Sequence, residues 1–435
     1  MKLCHVYKKQ FSYILIKQFS YILIGFLLIV PVFFVVAETK EELSAKISQK
    51  NDDISKLEKE IKKYQEELDN LSVQKNSLNN SIKELDITRK KLDADILITQ
   101  KKIEKTNLKI QSLSSEIGNK ENLILDNIES IKSGLRNINE IETENFIEIF
   151  LSDKNFTDSW NYIDNVISIR EKTRERTYEL KQIKGDLEDT RKETIDAKNE
   201  LLSLTKKLKD QKQIIVNNTN EKKKLLAQTK NSEINYQKLV KDRLAKKEAF
   251  EKEVEEYESK LKFILDPKSL PGKGVLSWPL EKIKITQLFG VTKDSKRLYA
   301  SGSHSGVDFK ASVGTPVFSV ADGVVEGVGD TDKTCPYTSF GKFIFIQHNN
   351  GLATTYGHLS LSSVHEGQKV KRGDIIGYSG NTGHTTGPHL HLTVYVGKVA
   401  EMITRPSTTC PGKIYRMPIA PTNAYLDPMY YLPKL

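Results

Sequence analysis

The sequence predicts a multidomain chain in which a long antiparallel α-helical coiled-coil hairpin precedes a small β-rich domain. Two observations predict this fold class. Before residue 265, apolar residues recur at steps of three and four over two long stretches, a spacing typical of coiled coils. After residue 278, short β-branched and aromatic runs alternate with glycine-containing turns, as in β-rich domains. The chain has 435 residues, which is enough for two or three domains.

Residues 1–37 are predicted to form a signal peptide or an N-terminal membrane anchor. Lysines precede the apolar run FSYILIGFLLIVPVFFVVA, which ends at Ala37 before an acidic stretch. A basic segment, an apolar segment and a small terminal residue are typical of export signals. The run is also long enough to act as an uncleaved anchor, although Pro31 and Ala37 favour cleavage. We therefore expect an exported protein of the cell envelope, on its extracellular or periplasmic face, anchored in the membrane if this segment is not cleaved.

The charge balance favours anionic partners. The formal net charge is +10, and nucleic acid, lipid head groups and cell-wall polymers are all anionic. The interleaving of aromatic and basic residues that single-strand binders use is missing from the sequence. We therefore expect no nucleic-acid partner, and we attribute the charge to a solvated coiled coil.

Residues 38–265 are predicted to form the hairpin, with a tip segment at about 145–170. The seam of the first arm consists of Leu57, Ile61, Tyr64, Leu68, Leu71, Leu78, Ile82, Leu85, Leu92, Ile96, Ile103, Ile110, Leu113 and Ile117. The seam of the second arm consists of Leu180, Ile183, Leu187, Ala197, Leu201, Leu204, Leu208, Ile215, Leu225, Tyr236, Leu239, Phe250 and Tyr257. The aromatic segment between them loses the heptad pattern, so the chain is expected to turn there.

Two arrangements satisfy these seams. The nearly equal lengths of the seams favour a hairpin within one chain, with arms of about 140 Å at 1.5 Å per residue. A parallel dimer between chains would also bury both seams, but it gives no reason for matched arms around one aromatic interruption.

Residues 266–277 are predicted to be a linker, and residues 278–435 the β-rich domain. Pro267, Pro271, Gly272 and Gly274 are costly inside a regular helix, so the helices should end before them. The runs TPVFSV, KFIFIQH and LATTYGHL that follow have the composition of strands.

Three short motifs in this domain carry histidine. In TTGPHLHLTV, His389 and His391 emerge on the same face of a strand, about 7 Å apart. In SHSGVDF, His304 and Asp308 are four residues apart on a turn or strand entry, and both are ordinary zinc ligands. His358 follows a strand in TTYGHLS and could exchange a proton. Each motif alone also fits a surface histidine or a turn aspartate.

Together these motifs favour a catalytic zinc site. Such a site uses three protein ligands and keeps one position open, whereas structural zinc sites are closed, usually by several cysteines. Cys335 and Cys410 are the two cysteines of the exported region, and they lack the CxxC spacing of structural zinc modules. An even cysteine pair in an oxidising compartment suggests a disulfide, with two free buried thiols as the alternative.

The motifs resemble the signature of the lysostaphin-type (LytM) zinc endopeptidases of bacterial cell walls. HSGVDFKASVGTPVFSVADGVV, HNNGLATTYGHLS, EGQKVKRGDIIGYSGNTG and TTGPHLHLTV follow the family's order and spacing over nearly the whole β-rich domain. The resemblance implies that zinc is held by His304, Asp308 and His391. It also implies that His358 and His389 lie beside the attacking water and the substrate as catalytic groups.

Tyr299, His348, His384 and the segments that carry the cysteines also have predicted roles in this domain. Tyr299 is interpreted either as an additional oxyanion donor or as a packing residue. His348 is interpreted as structural and His384 as lying at the rim of the pocket. The segments that carry the two cysteines depart from the simplest family members, and a bond between Cys335 and Cys410 would join an extended loop to the C-terminal tail.

The helical half resembles the coiled hairpins of EnvC-like and PcsB-like division proteins. That resemblance implies recruitment to an FtsEX-like membrane complex through the hairpin tip. The implied function is zinc-dependent hydrolysis of peptide stems or cross-bridges of peptidoglycan during cell separation, regulated through the coiled coil. The alternative is an EnvC-like activator that hydrolyses nothing and switches on a separate hydrolase. The complete ligand set favours the enzyme, because an activator does not need it.

Overall fold

The computed structural model describes residues 40–71, 77–143, 156–261, 268, 270–293, 295, 299 and 301–435. The predicted signal or anchor segment, the first part of the predicted tip and the start of the predicted linker lie outside the described residues. Residues 47–435 form one compact unit, and a second unit comprises Met1–Lys46. Among the described residues, no helix combines the length and apolar composition that crossing a membrane requires.

The helical part contains an antiparallel hairpin, as predicted, but it divides into four helices. These are α1 (Lys40–Leu71), α2 (Leu78–Thr143), α3 (Phe156–Thr229) and α4 (Glu233–Lys260). The two arms of the hairpin are α2 and α3. Their 66 and 74 residues correspond to about 100 Å and 110 Å. The estimate of 140 Å was too long, because it included residues that belong to α1 and α4.

Ion pairs between the arms fix their antiparallel register. Lys109 pairs with Glu193 at 2.9 Å, near the middle of the hairpin. The guanidinium of Arg191 pairs with Glu121, further along α2, at 2.8 Å. The residue number on α3 falls from 193 to 191 while the residue number on α2 rises from 109 to 121. This is the pattern of antiparallel helices.

Helix α4 folds back at the base of the hairpin. Lys230 and Asn231 have φ angles of 51° and 54°, a conformation that ends a helix and reverses the chain. The first turn of α4 then packs against the start of α2, where Glu233 accepts a hydrogen bond from the Leu78 N–H at 2.7 Å. Tyr236 packs beside Leu78 and Leu225 in a small apolar cluster. The remainder of α4 is therefore free to follow the β-rich domain.

The β-rich domain is built on one main sheet and one separate hairpin. The main sheet has the strand order β1-β2-β9-β6-β5-β4-β7, with β3, β8 and β12 paired at its side, and the hairpin is β10-β11. The strands are β1 (Ile285–Gln287), β2 (Val307–Lys310), β3 (Pro316–Phe318), β4 (Gly323–Asp330), β5 (Lys342–His348), β6 (Leu352–Ser362), β7 (Lys369–Val370), β8 (Ile375–Ser379), β9 (His389–Val396), β10 (Glu401–Pro406), β11 (Ile414–Ile419) and β12 (Tyr425–Leu426). A one-turn helix, α5 (Pro428–Tyr431), follows the last strand.

The domain has its own hydrophobic core, formed only by residues between 270 and 432. Phe309, Ile344 and Leu392 are fully buried in it, and Trp278 packs edge-on against Phe309 with ring centres 6.1 Å apart. Because this core does not draw on the helices, the main sheet keeps most of its apolar burial without them, although Tyr378 and the cluster around Tyr415 also pack on helix residues.

The stem of the hairpin packs against one side of this domain. Leu92 of α2 and Ile214 of α3 are fully buried in a cluster with Tyr378. Ser363 donates a hydrogen bond to Asp210 at 2.9 Å, and Asn217 donates to the Ser360 carbonyl at 3.2 Å. Apolar burial and matched polar groups therefore join the base of the hairpin to the sheet.

A disulfide joins Cys335 to Cys410, 75 residues apart in sequence. The bond links the segment between β4 and β5 to the turn of the β10-β11 hairpin. Closing a loop of this length restricts the unfolded chain strongly.

Removing this disulfide should destabilise the domain. We expect the double variant Cys335→Ser/Cys410→Ser to lose about 2–4 kcal/mol of unfolding free energy. Denaturant unfolding, with and without a reductant, measures the effect. The reductant should shift the wild-type curve and leave the double variant unchanged; coincident curves for oxidised and reduced wild type would contradict the prediction.

Candidate active site and metal centre

Three predicted ligands converge at the β2–β9 pair, the second and third strands of the main sheet. Asp308 on β2 lies directly opposite His391 on the neighbouring strand β9, and His304 stands just before β2, in an isolated bridge with Gly290. Their donor atoms all lie within 4.8 Å of one another, and all three residues are buried. The ligand set implied by the resemblance is thus assembled in one place.

The donor atoms have the separation that a tetrahedral ion requires. The Asp308 Oδ1 atom lies 2.8 Å from His391 Nδ1 and 3.3 Å from His304 Nε2. The two histidine nitrogens are 3.1 Å apart. Ligands about 2.0–2.1 Å from a zinc ion in tetrahedral geometry stand about 3.3 Å from one another. The observed separations of 2.8–3.3 Å are slightly shorter on average and leave room for one ion between the three atoms.

Hydrogen bonds on the far side of each imidazole set its protonation state. His304 Nδ1 donates to the Leu288 carbonyl at 2.9 Å, which leaves its Nε2 with a lone pair. His391 Nε2 lies 2.9 Å from Thr393 Oγ1, which accepts its proton in the tautomer that leaves a lone pair on Nδ1. Two lone pairs and a carboxylate oxygen then face one another, an arrangement that a cation stabilises. The residues therefore fit a zinc ion.

The electrostatics of the buried groups agree with this donor set. Burial alone would raise the pKa of Asp308, but the adjacent imidazoles of His304 and His391 hold it well below the usual range. Burial lowers the pKa of His391, so this imidazole stays neutral although Asp308 opposes the shift. A charged carboxylate and neutral imidazoles are the forms that bind a metal ion.

Gly306 is required by the close approach of these strands. A Cβ atom at this position would lie 2.3 Å from the Leu392 carbonyl oxygen and 2.9 Å from the His391 ring. Any larger residue would push the His391 imidazole away from Asp308.

The two predicted catalytic histidines stand beside the ligands. The rings of His358 and His389 are 4.6 Å apart, and His389 Nε2 lies 3.6 Å from Asp308 Oδ1. His358 Nδ1 donates to the Thr382 carbonyl at 2.8 Å, and His389 Nδ1 donates to the Gly387 carbonyl at 2.7 Å. In both rings Nε2 is left without a proton. Burial lowers the pKa of His358 well below the ordinary value, and the neighbouring His389 and His391 lower it further.

Tyr299, His348 and His384 have three different environments. The ring of Tyr299 stacks on His304 with centres 5.0 Å apart, and its hydroxyl lies 3.4 Å from Gln287. His348 bonds to Thr354 Oγ1 at 2.8 Å, and burial lowers its pKa to about 4. His384 lines the cavity beside the site, and burial and the nearby Lys247 lower its pKa to about 3.

Helix α4 forms a wall of the cavity over the site, which the sequence did not indicate. The cavity has a volume of about 380 Å³ and is lined by both the histidines and the helix. The contributing residues of α4 are Phe250, Glu251, Val254, Glu255 and Glu258. A heptad position gives no sign of whether its side chain faces another helix or a sheet, so sequence analysis missed these residues.

Several contacts hold α4 in this place. Phe250 is fully buried and packs edge-on against Tyr415 of β11, with ring centres 5.3 Å apart. The Glu253 carboxylate accepts hydrogen bonds from Ser407 Oγ and from the N–H groups of Thr408 and Thr409, at 2.8–3.1 Å. These residues belong to the turn that the disulfide fixes.

A buried lysine of α4 also faces the site. Lys247 is 4% exposed, and its ammonium lies 5.4 Å from the centre of the Tyr299 ring and 3.7 Å from Glu251. Burial lowers the pKa of Lys247, and the nearby Glu251 and Glu248 oppose that shift. The helix thus brings charged groups close to the metal centre.

Comparison with known proteins identifies the domain. The model of Peptidase family M23 matches residues 302–402. The peptidoglycan DD-endopeptidase ShyA of Vibrio cholerae is 48% identical over 93 residues, which are 21% of this chain and 20% of ShyA. The DD-carboxypeptidase/endopeptidase Mpg of Neisseria meningitidis serogroup B is 39% identical over 127 residues, or 29% of this chain and 28% of Mpg.

Solved structures include the catalytic domain of lysostaphin from Staphylococcus simulans. It is 29% identical, covers 34% of this chain and 90% of the lysostaphin domain, and has a TM-score of 0.25. The chain spans between 20% and 30% of the length of three curated relatives, among them ShyA. The residues matched by the family model lie within the β-rich part of the chain. Residues 302–402 of this chain form a Peptidase family M23 domain, of the LytM type.

Proposed function

We propose that the protein is an exported zinc-dependent endopeptidase that hydrolyses peptide stems or cross-bridges of peptidoglycan. The observation that carries the proposal is the complete set of donor atoms from His304, Asp308 and His391, with two further histidines beside it. The family match and the names of relatives such as ShyA and Mpg support the same substrate class. The disulfide supports export, because such bonds persist in oxidising compartments.

The residues of the site divide the chemistry between them. Zinc, when bound by the three ligands, supplies Lewis-acid polarisation of the scissile carbonyl and lowers the pKa of water. His358 is neutral and its Nε2 is free, so it accepts a proton from the attacking water and returns it to the leaving amine. His389 lies beside it with the same free nitrogen, and after taking up a proton from solvent it would donate a hydrogen bond to the developing oxyanion.

Hydrolysis of purified peptidoglycan tests this function. The zinc-loaded chain from residue 38 and a fragment from Gly274, which retains the core of the domain, should both be compared with and without a chelator. Mass spectrometry should detect new amino termini at one stem or bridge bond, and these should disappear with the chelator. A folded, zinc-loaded fragment that cleaves nothing would contradict the proposal and favour the activator.

The proposal includes regulation through the coiled coil. With α4 forming one wall of the cavity, a polymeric substrate meets a helix where it must enter. We propose that the closed arrangement opens when a partner engages the hairpin, at a membrane complex of the FtsEX type and during cell separation. The matching resemblance of the helical half to EnvC-like and PcsB-like hairpins supports this choice of partner.

The closed arrangement should respond to pH through Glu258. This α4 residue is 8% exposed, and its carboxyl lies 2.5 Å from the Tyr425 hydroxyl. Burial raises its pKa from 4.5 to about 7; bonds from Tyr425 and the Ala420 N–H oppose the shift, and Glu255 adds to it. Tyr395 and Tyr415 are the other titratable groups whose pKa values Glu258 affects.

The sign follows from the raised pKa. The docked helix binds a proton that the released helix loses, so rising pH favours release. Raising the pKa from 4.5 to about 7 corresponds to about 3 kcal/mol between acidic and alkaline limits. Hydrogen exchange in α4, corrected for intrinsic rates, should show protection falling as the pH rises from about 4.5 to about 7 and levelling off above that.

Substitution separates this effect from general pH sensitivity. Glu258→Gln should make the protection of α4 nearly independent of pH in this range. Glu256→Gln, at an exposed position two residues earlier, should behave as wild type. An unchanged pH dependence in Glu258→Gln would show that another group is responsible.

A further inference from the structure

The segment between β4 and β5 closes on itself and reaches the catalytic histidines. The Thr331 hydroxyl donates to the Thr338 carbonyl and accepts from the Gly341 N–H, which closes the loop across its base. The carbonyl of Phe340 then accepts a hydrogen bond from the His358 N–H at 2.7 Å. The Ser339 carbonyl of the same loop accepts a hydrogen bond from the His384 N–H at 2.9 Å. The backbone of the loop therefore supports two histidines of the site.

His358 depends on such support. Its φ angle is 61°, in the left-handed region that residues other than glycine seldom occupy. Residues in this conformation persist when their surroundings fix them. His358 is fixed at two points, by the bond from its N–H to Phe340 and by the bond from its Nδ1 to the Thr382 carbonyl at 2.8 Å.

One carboxylate joins the two segments that make these contacts. Asp332 Oδ2 accepts a hydrogen bond from the Gly383 N–H at 2.8 Å, and Oδ1 accepts one from the Tyr337 N–H. Gly383 directly follows Thr382, the residue that holds the His358 ring. Asp332 thus connects the loop under the His358 backbone to the loop under its side chain.

The two segments are in direct backbone contact at this point. A Cβ atom on Gly383 would lie 2.1 Å from the Gly341 nitrogen, and the φ angles of Gly383 and Gly341 are 69° and 60°. The contact leaves no space for a side chain between them. The hydrogen bond from Gly383 to Asp332 therefore sets how closely the Thr382 carbonyl approaches His358.

We infer that Asp332 is a positioning residue for His358: it holds the Thr382 carbonyl where that carbonyl keeps the proton on Nδ1 and leaves Nε2 free for the reaction. Asp332 acts through Gly383 and Thr382 and touches no reacting atom. The inference deepens the proposed function and rests on it for the role of His358. Its first measurement, however, does not require activity.

The test compares two charge-matched variants of the full zinc-loaded chain. In Asp332→Asn, the side-chain NH₂ group must face either Gly383 or Tyr337, so one of the two N–H groups loses its acceptor. In the control Asp330→Asn, the side-chain oxygen still accepts from the Asp332 N–H, its partner at 3.2 Å. Ring ¹⁵N shifts of selectively labelled histidine report the tautomer, with His358 assigned from the spectrum of His358→Gln.

We expect Asp332→Asn to reduce the fraction of His358 that carries its proton on Nδ1. We also expect kcat to fall about 10-fold to 100-fold, the range for groups that orient a site residue, with KM within about 2-fold and zinc content unchanged. Asp330→Asn should match wild type. An unchanged tautomer in Asp332→Asn overturns the inference, as does an equal loss of kcat, zinc and thermal stability in both variants. If wild type hydrolyses no peptidoglycan, the proposed function fails, and the tautomer alone decides the role of Asp332.

Discussion

Replacing His391 with alanine should nearly abolish hydrolysis of peptidoglycan and should weaken zinc binding. Its Nδ1 atom lies 2.8 Å from Asp308 Oδ1 and 3.1 Å from His304 Nε2, so alanine leaves two ligands. Loss of groups that merely orient a ligand costs about 10-fold to 100-fold, and loss of the ligand itself should exceed that. We expect a decrease in kcat/KM of at least about 10³-fold, or about 4 kcal/mol of transition-state stabilisation.

Zinc content and activity should be measured on the same samples. His365→Ala is the matched control, because His365 is exposed on a turn and its ring contacts only the neighbouring Glu366 carbonyl among the contacts described. That control should retain zinc and activity. Full activity of a zinc-free His391→Ala variant would exclude the proposed metal centre.

The metal ligands could be predicted from sequence through the resemblance to the LytM family, and strand periodicity explains why they meet. His389 and His391 are two residues apart on β9, so both face Asp308 on the adjacent strand. His304, which lies just before β2, supplies the third ligand.

The course of the helices could be predicted only in part. The two seams indicated the antiparallel hairpin, because burial along a heptad needs a partner helix. Phe250 and Tyr257 belong to the same pattern, yet Phe250 packs on Tyr415, and Tyr257 lies beneath the Arg405 guanidinium, 3.7 Å away. An apolar stripe is buried equally well by a helix or by a sheet, so the pattern did not reveal α4 at the site.

Asp332 was missed for a different reason. An aspartate in a polar segment rich in glycine and threonine fits any turn. Its partner Gly383 is 51 residues away, and no periodicity relates the two positions. Only the packed arrangement of the two loops identifies this pair.

Loosening α4 from the domain should raise the activity of the full chain. Phe250→Ala removes a fully buried aromatic side chain from the contact with Tyr415. Such truncations cost about 3–5 kcal/mol, which would shift the ratio of released to docked helix by about 100-fold or more. The rise in kcat/KM should approach that factor while the docked form predominates, and it should level off once the site is open.

A second variant acts on the same contact from outside the core. Glu253→Gln weakens the acceptor for Ser407, Thr408 and Thr409 without creating a cavity. Burial would raise the pKa of Glu253, but bonds from Thr409 and Thr408 lower it overall, so the charged form is the one that these donors favour. Glu256→Gln removes an equal charge at an exposed position of α4 and should change nothing.

The two variants distinguish two roles of α4: a cover, which blocks access to the site, and a brace, which stabilises the site. If α4 covers the site, faster hydrogen exchange in α4 and faster hydrolysis should rise together, and the fragment from Gly274 should be at least as active as either variant. If α4 braces the site, looser binding should instead lower activity, because His384 and Tyr299 would lose the neighbouring Lys247. The cover is favoured because the helix forms a wall of the cavity that His304, His391 and His358 also line. A folded Glu253→Gln variant with a freely exchanging α4 and unchanged or lower activity would refute it.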